Sequence, residues 1–383
     1  MDFSWEKEQI EFRQRVVEFA EQELNENLAE REQNGLFSRE LWEKCARFGI
    51  QGLANPKEFG GRNRDIDILT SILAMEGFGY GCRDNGLAFA LNAQMWTVQL
   101  PIVQFGSAEQ KQQFLPKLAN GEWIAAHALT EAETGSDAFG LRMTAERRDG
   151  GYVLNGKKCL VSLAPIADVT LVFANANPEL GKWGVTAFLI ESGTAGFSQH
   201  DSQDKMGLRT VPIGELSFDN CFVPIENRLG KEGAGFSISN HSLEYERCSI
   251  LASQLGTMER QLEKSIEFAQ KRRQFGQAIG KFQSVANRIA EMRLRLETSR
   301  LLLYKVAWLK QAGKPAMLEA ALLKLHLSES FLLSSLDTIR THGGIGYLTK
   351  TEVERDLRDS VGGLLYAGTS DIQRNIISKL LGL

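Results

Sequence analysis

Apolar positions in the first third of the chain recur with the helical period. Phe12, Val16, Phe19, Leu24 and Leu28 follow Ser4 at near-helical spacing, which predicts one long helix capped by that serine. Leu41, Trp42, Cys45 and Phe48 follow Ser38 and stop at Gly49, the pattern of a second capped helix. Ser107 and Gln110 have capping-box spacing and open a helix to about Leu118. From about residue 121 to 227 the period changes. Tyr152-Val153-Leu154, Val169 to Phe173 and Gly184 to Ile190 are short and rich in β-branched and aromatic residues. Asp149-Gly150-Gly151 and Asn155-Gly156 read as turns between strands. Short strands at near-regular spacing predict a small barrel or sandwich. Helices return from about residue 228: no proline interrupts Phe236 to Arg273, and another such stretch runs from Phe282 to Gln311. Four or five long helices make a bundle. The expected division is helices over 1–120, strands over 121–227 and a helical bundle over 228–383.

Composition narrows the class. The 383 residues are 43% apolar and 24% charged, ordinary for a globular protein. A net charge of −4 gives no overall attraction for nucleic acid or an anionic membrane. The stretch Met1 to Glu8 is acidic and lacks the apolar run of a signal peptide. No segment approaches the roughly 20 apolar residues of a spanning helix. The five cysteines, Cys45, Cys82, Cys159, Cys221 and Cys248, are scattered without paired spacing. They read as reduced thiols of a cytoplasmic protein. The five histidines have no metal-ligand spacing either, so no metal site is expected.

Three segments carry candidate chemistry. Leu129 to Asp137 (LTEAETGSD) offers hydroxyls and exposed backbone N–H groups that suit a phosphate or a flavin edge, although alone it reads as a surface turn. Arg272-Arg273-Gln274-Phe275-Gly276, followed by Gln283, has a cation, an aromatic and a glycine at a helix end. Such a group suits a pyrophosphate and a ring, or simply complements a helix dipole. Tyr366 to Arg374 (YAGTSDIQR) places Thr369 or Ser370 as cap of the last helix.

In this order and spacing the three segments resemble the acyl-CoA dehydrogenase superfamily. Lys205 to Arg209, Phe222-Val223-Pro224 and Gly343 to Tyr347 extend the resemblance over essentially the whole chain. It implies a mainly α protein with an N-terminal helical domain, a central β-barrel and a C-terminal four-helix bundle. It also implies FAD at a dimer interface within a homotetramer. Thr130, Gly135, Ser136, Ser162, Thr369 and Asp371 would surround one subunit's flavin. Arg272, Phe275, Gln283 and the backbone of Gly343 and Gly344 would grip the neighbour's. The chain departs from the family at Leu160 and Ser162, where tryptophan and threonine are usual; the missing tryptophan leaves the flavin face less shielded from oxygen. Gly343 to Gly346 lies between helices and not after a strand, against a dinucleotide-binding fold.

The family's chemistry removes an α-proton from a thioester while a hydride leaves the adjacent atom for the flavin. Most members carry the base before the C-terminal Gly-Thr pair, where this chain has Ala367, which takes no proton. A minority place it before an arginine on another helix. Tyr245-Glu246-Arg247 occupies that place, and Glu246 is the candidate base. Without the resemblance, Glu246 reads as a paired carboxylate on a helix surface. Glu244 is a rival, about 200° round the helix, so the two cannot share one pocket. Glu244 and Arg247 are carried over as substrate-arm contacts, and the Ala367 N–H as a donor to the thioester oxygen.

Within the superfamily the chain is similar to flavoproteins that oxidise prolyl groups on carrier proteins. Met258 to Glu263, Gly280 to Gln283 and Arg288 to Leu303 carry that likeness. It implies a dehydroprolyl or pyrrolyl thioester product in secondary metabolism, with oxygen or an electron-transfer flavoprotein as acceptor. An acyl-CoA dehydrogenase for a short or branched chain is the second reading. A flavin monooxygenase, or an inactive partner subunit on the same fold, is the third.

Overall fold

The computed structural model describes residues 4–383; the acidic start at Met1–Phe3 lies outside them. Helix α1 (Lys7–Glu23) buries Phe12, Val16, Val17 and Ala20. Burying a large apolar side chain such as Phe12 contributes about 1.5–3 kcal/mol. Its cap is not Ser4. Glu6 and Gln9 close a capping box, each side chain accepting from the other residue's backbone N–H. The expected long helix also breaks. Asn25 donates to the carbonyls of Ala20 and Gly81, and Asn27 turns left-handed before α2 (Leu28–Asn34). Ser38 accepts from the Leu41 N–H and Gly49 ends α3 (Arg39–Phe48) at φ +96°. After α4 (Ile68–Gly81), α5 (Asn85–Gln94) and α6 (Leu100–Phe105) are joined by a π turn over Met95–Gln99. Ser107 and Gln110 form both halves of the expected box at α7 (Ala108–Ala119).

Strands β1 (Ala125–Ala128), β2 (Thr144–Arg148), β3 (Gly151–Ser162), β4 (Val169–Asn175), β5 (Val185–Glu191), β6 (Phe197–Gln199), β7 (Ile213–Pro224) and β8 (Arg228–Leu229) form one sheet. Its order is β6-β7-β3-β2-β4-β5-β8, with β1 parallel beside β4. The expected barrel is not closed. The end strands β6 and β8 do not pair, and β2 meets β4 at the single pair Thr144–Asn175. Asp149-Gly150 makes the expected β2–β3 turn. Asn155-Gly156 does not turn the chain: Gly156 (φ +144°) lies in a bulge of β3. A side chain there would meet Met143 at 2.9 Å, so glycine serves close packing.

The remaining helices are α8 (Gly235–Ser249), α9 (Ala252–Lys271), α10 (Gln283–Gln311), α11 (Met317–His342), α12 (Val353–Gly362) and α13 (Ser370–Leu380). The proline-free stretch from Phe236 is two helices, broken at Ile250-Leu251. A two-stranded hairpin of β9 (Arg273–Gln274) and β10 (Gln277–Ala278) joins α9 to α10. Helices α4 and α9 approach backbone to backbone: a Cβ on Gly256 would lie 1.9 Å from the Glu76 carbonyl oxygen. At that crossing the buried Glu76 accepts from Arg300 at 2.9 Å and Tyr304 at 2.6 Å. No described helix is long and apolar enough to cross a membrane.

Candidate active site

Helix α8 carries both candidate bases, and its twist separates them. Glu244 points to α10, where Lys310 Nζ lies 2.7 Å from its Oε2 and 4.1 Å from the Tyr245 ring centroid. Glu246, about 200° round, is close enough to Tyr366, in the turn over 363–369, for its charge to act on that phenol. Its carboxylate has no hydrogen bond or ion pair among the described residues. Burial raises it to about 7, against the opposing pull of Arg247 and Lys324.

That turn is tied from several helices. Arg247 Nε donates to the Ala367 carbonyl at 3.4 Å, and Gln373 Nε2 donates to Ala367 O at 3.1 Å and Gly368 O at 2.9 Å. Lys324 of α11, fully buried, donates to Gly363 O at 2.7 Å; burial lowers its ammonium to about 8. Ala367 holds φ +55°, a left-handed conformation that its ties maintain. Its N–H has no acceptor among the described residues. Thr369 caps α13 by accepting from the Ile372 N–H, and Asp371 pairs with Arg374 on the surface.

A second group stands on the sheet. Thr130 O accepts from Cys159 N–H, which fixes the start of the loop 130–143 against β3. Glu131 anchors the rest. It accepts from the backbone N–H groups of Arg142 and Met143 and from Lys158 Nζ at 2.7 Å, with the lysine 0% exposed. Gly135 and Ser136 are exposed above this anchor, and nothing crowds the space beside Gly135. Thr134 Oγ1 is buried without a partner. A second irregularity of β3, between Lys158 and Val161, turns Leu160 to φ +55° and leaves it 62% exposed; Ser162 pairs with Ile213 of β7.

A third group lies at the far end of the bundle. Arg272 ends α9, Phe275 tips the β9–β10 hairpin at 92% exposure, and Gln283 opens α10. Gly343 and Gly344 follow α11 with open space beside both. Phe268 and His342 meet ring to ring, centroids 4.4 Å apart and tilted by 30°, so the ends of α9 and α11 meet. The 20 residues of α9 put this group about 30 Å from the α8 end of the helix. One chain therefore brings together Glu246, Arg247 and Ala367, and separately the hairpin and glycine set. It does not bring those two sets to each other.

These residues fit a flavin dinucleotide. An orphaned hydroxyl and open glycines suit a ring edge and phosphates, and Arg272 with Phe275 suits a pyrophosphate and an aromatic ring. Pattern reading gave no role to Glu131, Lys158, Gln254 or Lys324. Lys158 stands beside Lys157 in β3 with nothing local to single it out, and the partners of Gln254 and Lys324, Tyr366 and Gly363, lie over a hundred and about forty residues away in the turn over 363–369.

Profiles of the acyl-CoA dehydrogenase N-terminal, middle and C-terminal domains match residues 6–122, 126–221 and 233–382. The chain belongs to the acyl-CoA dehydrogenase family, whose members are FAD-dependent oxidoreductases. It is 42% identical over 384 residues to an L-prolyl-[peptidyl-carrier protein] dehydrogenase of Pseudomonas fluorescens, with 100% of each chain covered. The crystal structure of the prolyl acyl carrier protein oxidase AnaB superposes with a TM-score of 0.97 at 48% identity, over 99% of this chain and 100% of that one. The structure of PigA with FAD and proline gives 0.97 at 39% identity, with 100% of both chains covered.

Proposed function

We propose that this protein oxidises a prolyl group held as a thioester on a carrier protein, with Glu246 as the base. One observation carries the assignment: Glu246 is the unpaired carboxylate near the Ala367 turn, and burial holds it at about 7. A base poised near neutrality accepts the α-proton and is ready again after losing it to solvent. The likeness to prolyl-carrier enzymes supports the acyl group.

Bound FAD supplies the acceptor for the hydride that leaves the ring atom next to the α-carbon. Thr130, Gly135, Ser136, Ser162, Thr369 and Asp371 would hold it on one side. Arg272, Phe275, Gln283, Gly343 and Gly344 would hold the partner subunit's. Glu246 takes the α-proton, and the free Ala367 N–H donates to the thioester oxygen as negative charge develops there. Arg247 keeps that turn in place, and with Glu244 borders the substrate arm. The product is a dehydroprolyl thioester, and a second round gives the pyrrole.

The exposed Phe275 hairpin supports a homotetramer in which neighbours complete each other's site. The exposed Leu160 supports oxygen as the acceptor in place of an electron-transfer flavoprotein. Five free cysteines, four of them buried, support a cytoplasmic setting. The test is anaerobic mixing of the flavin-loaded protein with prolyl-carrier protein and, in parallel, with short and branched acyl-CoAs. Bleaching of the flavin by prolyl-carrier protein alone is expected. Bleaching by an acyl-CoA alone would transfer the assignment to that substrate, and no bleaching would point to the monooxygenase or inactive-subunit reading.

A further inference from the structure

A buried polar pair near Glu246 takes no part in the chemistry above. Gln254 of α9, 8% exposed, donates its Nε2–H to the hydroxyl oxygen of Tyr366. Because that oxygen is used as an acceptor, the phenol keeps its own proton free to donate. The ring is fixed by Phe89, centroids 4.8 Å apart, and Lys324 Nζ lies 6.0 Å from its centroid. Burial, and then the charge of Glu246, hold the phenol protonated, and the Lys324 ammonium acts on Glu246 as well as standing by the Tyr366 ring, so the three groups form one cluster. Gln254 Oε1 is buried with no hydrogen-bond partner. Half-satisfied buried polar groups are costly, and this one stands where a purely hydrocarbon substrate would ask for apolar side chains.

We infer that Tyr366 is a specificity-determining residue whose O–H donates to the ring nitrogen of the prolyl group, and that Gln254 is the positioning residue that turns it. The inference rests on the prolyl reading above. The partner is the neutral amine, since the ammonium has no lone pair to accept. A site built around such a hydrogen bond rejects a substrate of the same shape that lacks the nitrogen, because the donor is left unpaired.

The test compares carrier protein loaded with prolyl or with cyclopentanecarbonyl, the same ring with CH₂ in place of NH. Oxidation of the carrier-bound acyl group is followed by mass, in variants matched for flavin content. Tyr366→Phe and Gln254→Leu should each lower the prolyl rate about 10–100-fold and leave the cyclopentanecarbonyl rate within about threefold. Equal losses on both substrates would reduce the pair to a prop for the turn and overturn the inference, as would unchanged rates on both. Wild-type protein that fails to oxidise prolyl-carrier protein would instead overturn the substrate reading itself, a result seen without any variant.

Discussion

Lys310 donates to Glu244 across 2.7 Å, and both side chains are largely buried. That pair leaves Glu246, two residues on, as the α8 carboxylate without a counter-ion in contact. The same helix thus holds one acid whose charge is neutralised by structure and another that burial keeps near the point of titration. Ala367 in the nearby turn offers no competing carboxylate.

Activity should therefore follow the ionisation of Glu246. Burial raises this carboxyl from 4.5 to about 7, with Arg247 and Lys324 opposing and the Tyr366 phenol neutral beside it. The base works only when deprotonated, so kcat/KM should rise about tenfold per pH unit below 7 and level above it. Stability runs the other way. Between 4.5 and about 7 the folded state holds a proton that the unfolded chain has released, so stability falls as pH rises through that window. Glu246→Gln should melt higher than wild type at pH 8, with the gain gone at pH 4. A flat pH–rate profile from 5 to 8 would contradict the assignment.

The loop over 130–143 should depend on one ion pair. Glu131→Leu leaves the Lys158 ammonium buried with only the Leu129 carbonyl at 2.9 Å for company. The cost should be about 3–5 kcal/mol, read as a lowered Tm, with loss of retained flavin. Adding Lys158→Met should restore much of the stability, since two apolar groups replace two charges, but not the flavin.

Much of the frame was legible locally. Ser38, Gly49, Ser107 and Gln110 act within their own helix ends, where three or four residues decide the outcome. The misses have non-local causes. Gly156 tolerates a turn or a bulge equally, and its contact with Met143 selects the bulge. Closure of the sheet depends on its end strands β6 and β8, which do not pair, and strand spacing along the chain does not say which strands meet. The break at Ile250-Leu251 has neither proline nor glycine to announce it. In the site, the Glu246-Arg247 pair and Ala367 were readable as a pattern. Lys324, Gln254 and Lys310 reach their partners from other helices, and no spacing along the chain announces them.

Helix contact at the Glu76 crossing should tolerate no side chain at Gly256. Gly256→Ala puts a methyl group 1.9 Å from the Glu76 carbonyl oxygen and forces α4 and α9 apart. Overpacking of this kind costs about 1–3 kcal/mol, and displacement of Glu76 from Arg300 and Tyr304 adds to it. Thermal melting should show the loss, and an unchanged Tm would mean that the two helices are not in backbone contact.

The central claim is that Glu246, and not Glu244, takes the proton. Its most direct test is the anaerobic flavin-bleaching rate with prolyl-carrier protein in Glu246→Gln and Glu244→Gln, each with full flavin content. The predicted result is a fall of about 10²–10⁴-fold for Glu246→Gln and a change within about tenfold for Glu244→Gln. Rapid bleaching in Glu246→Gln, or the larger loss in Glu244→Gln, would contradict it.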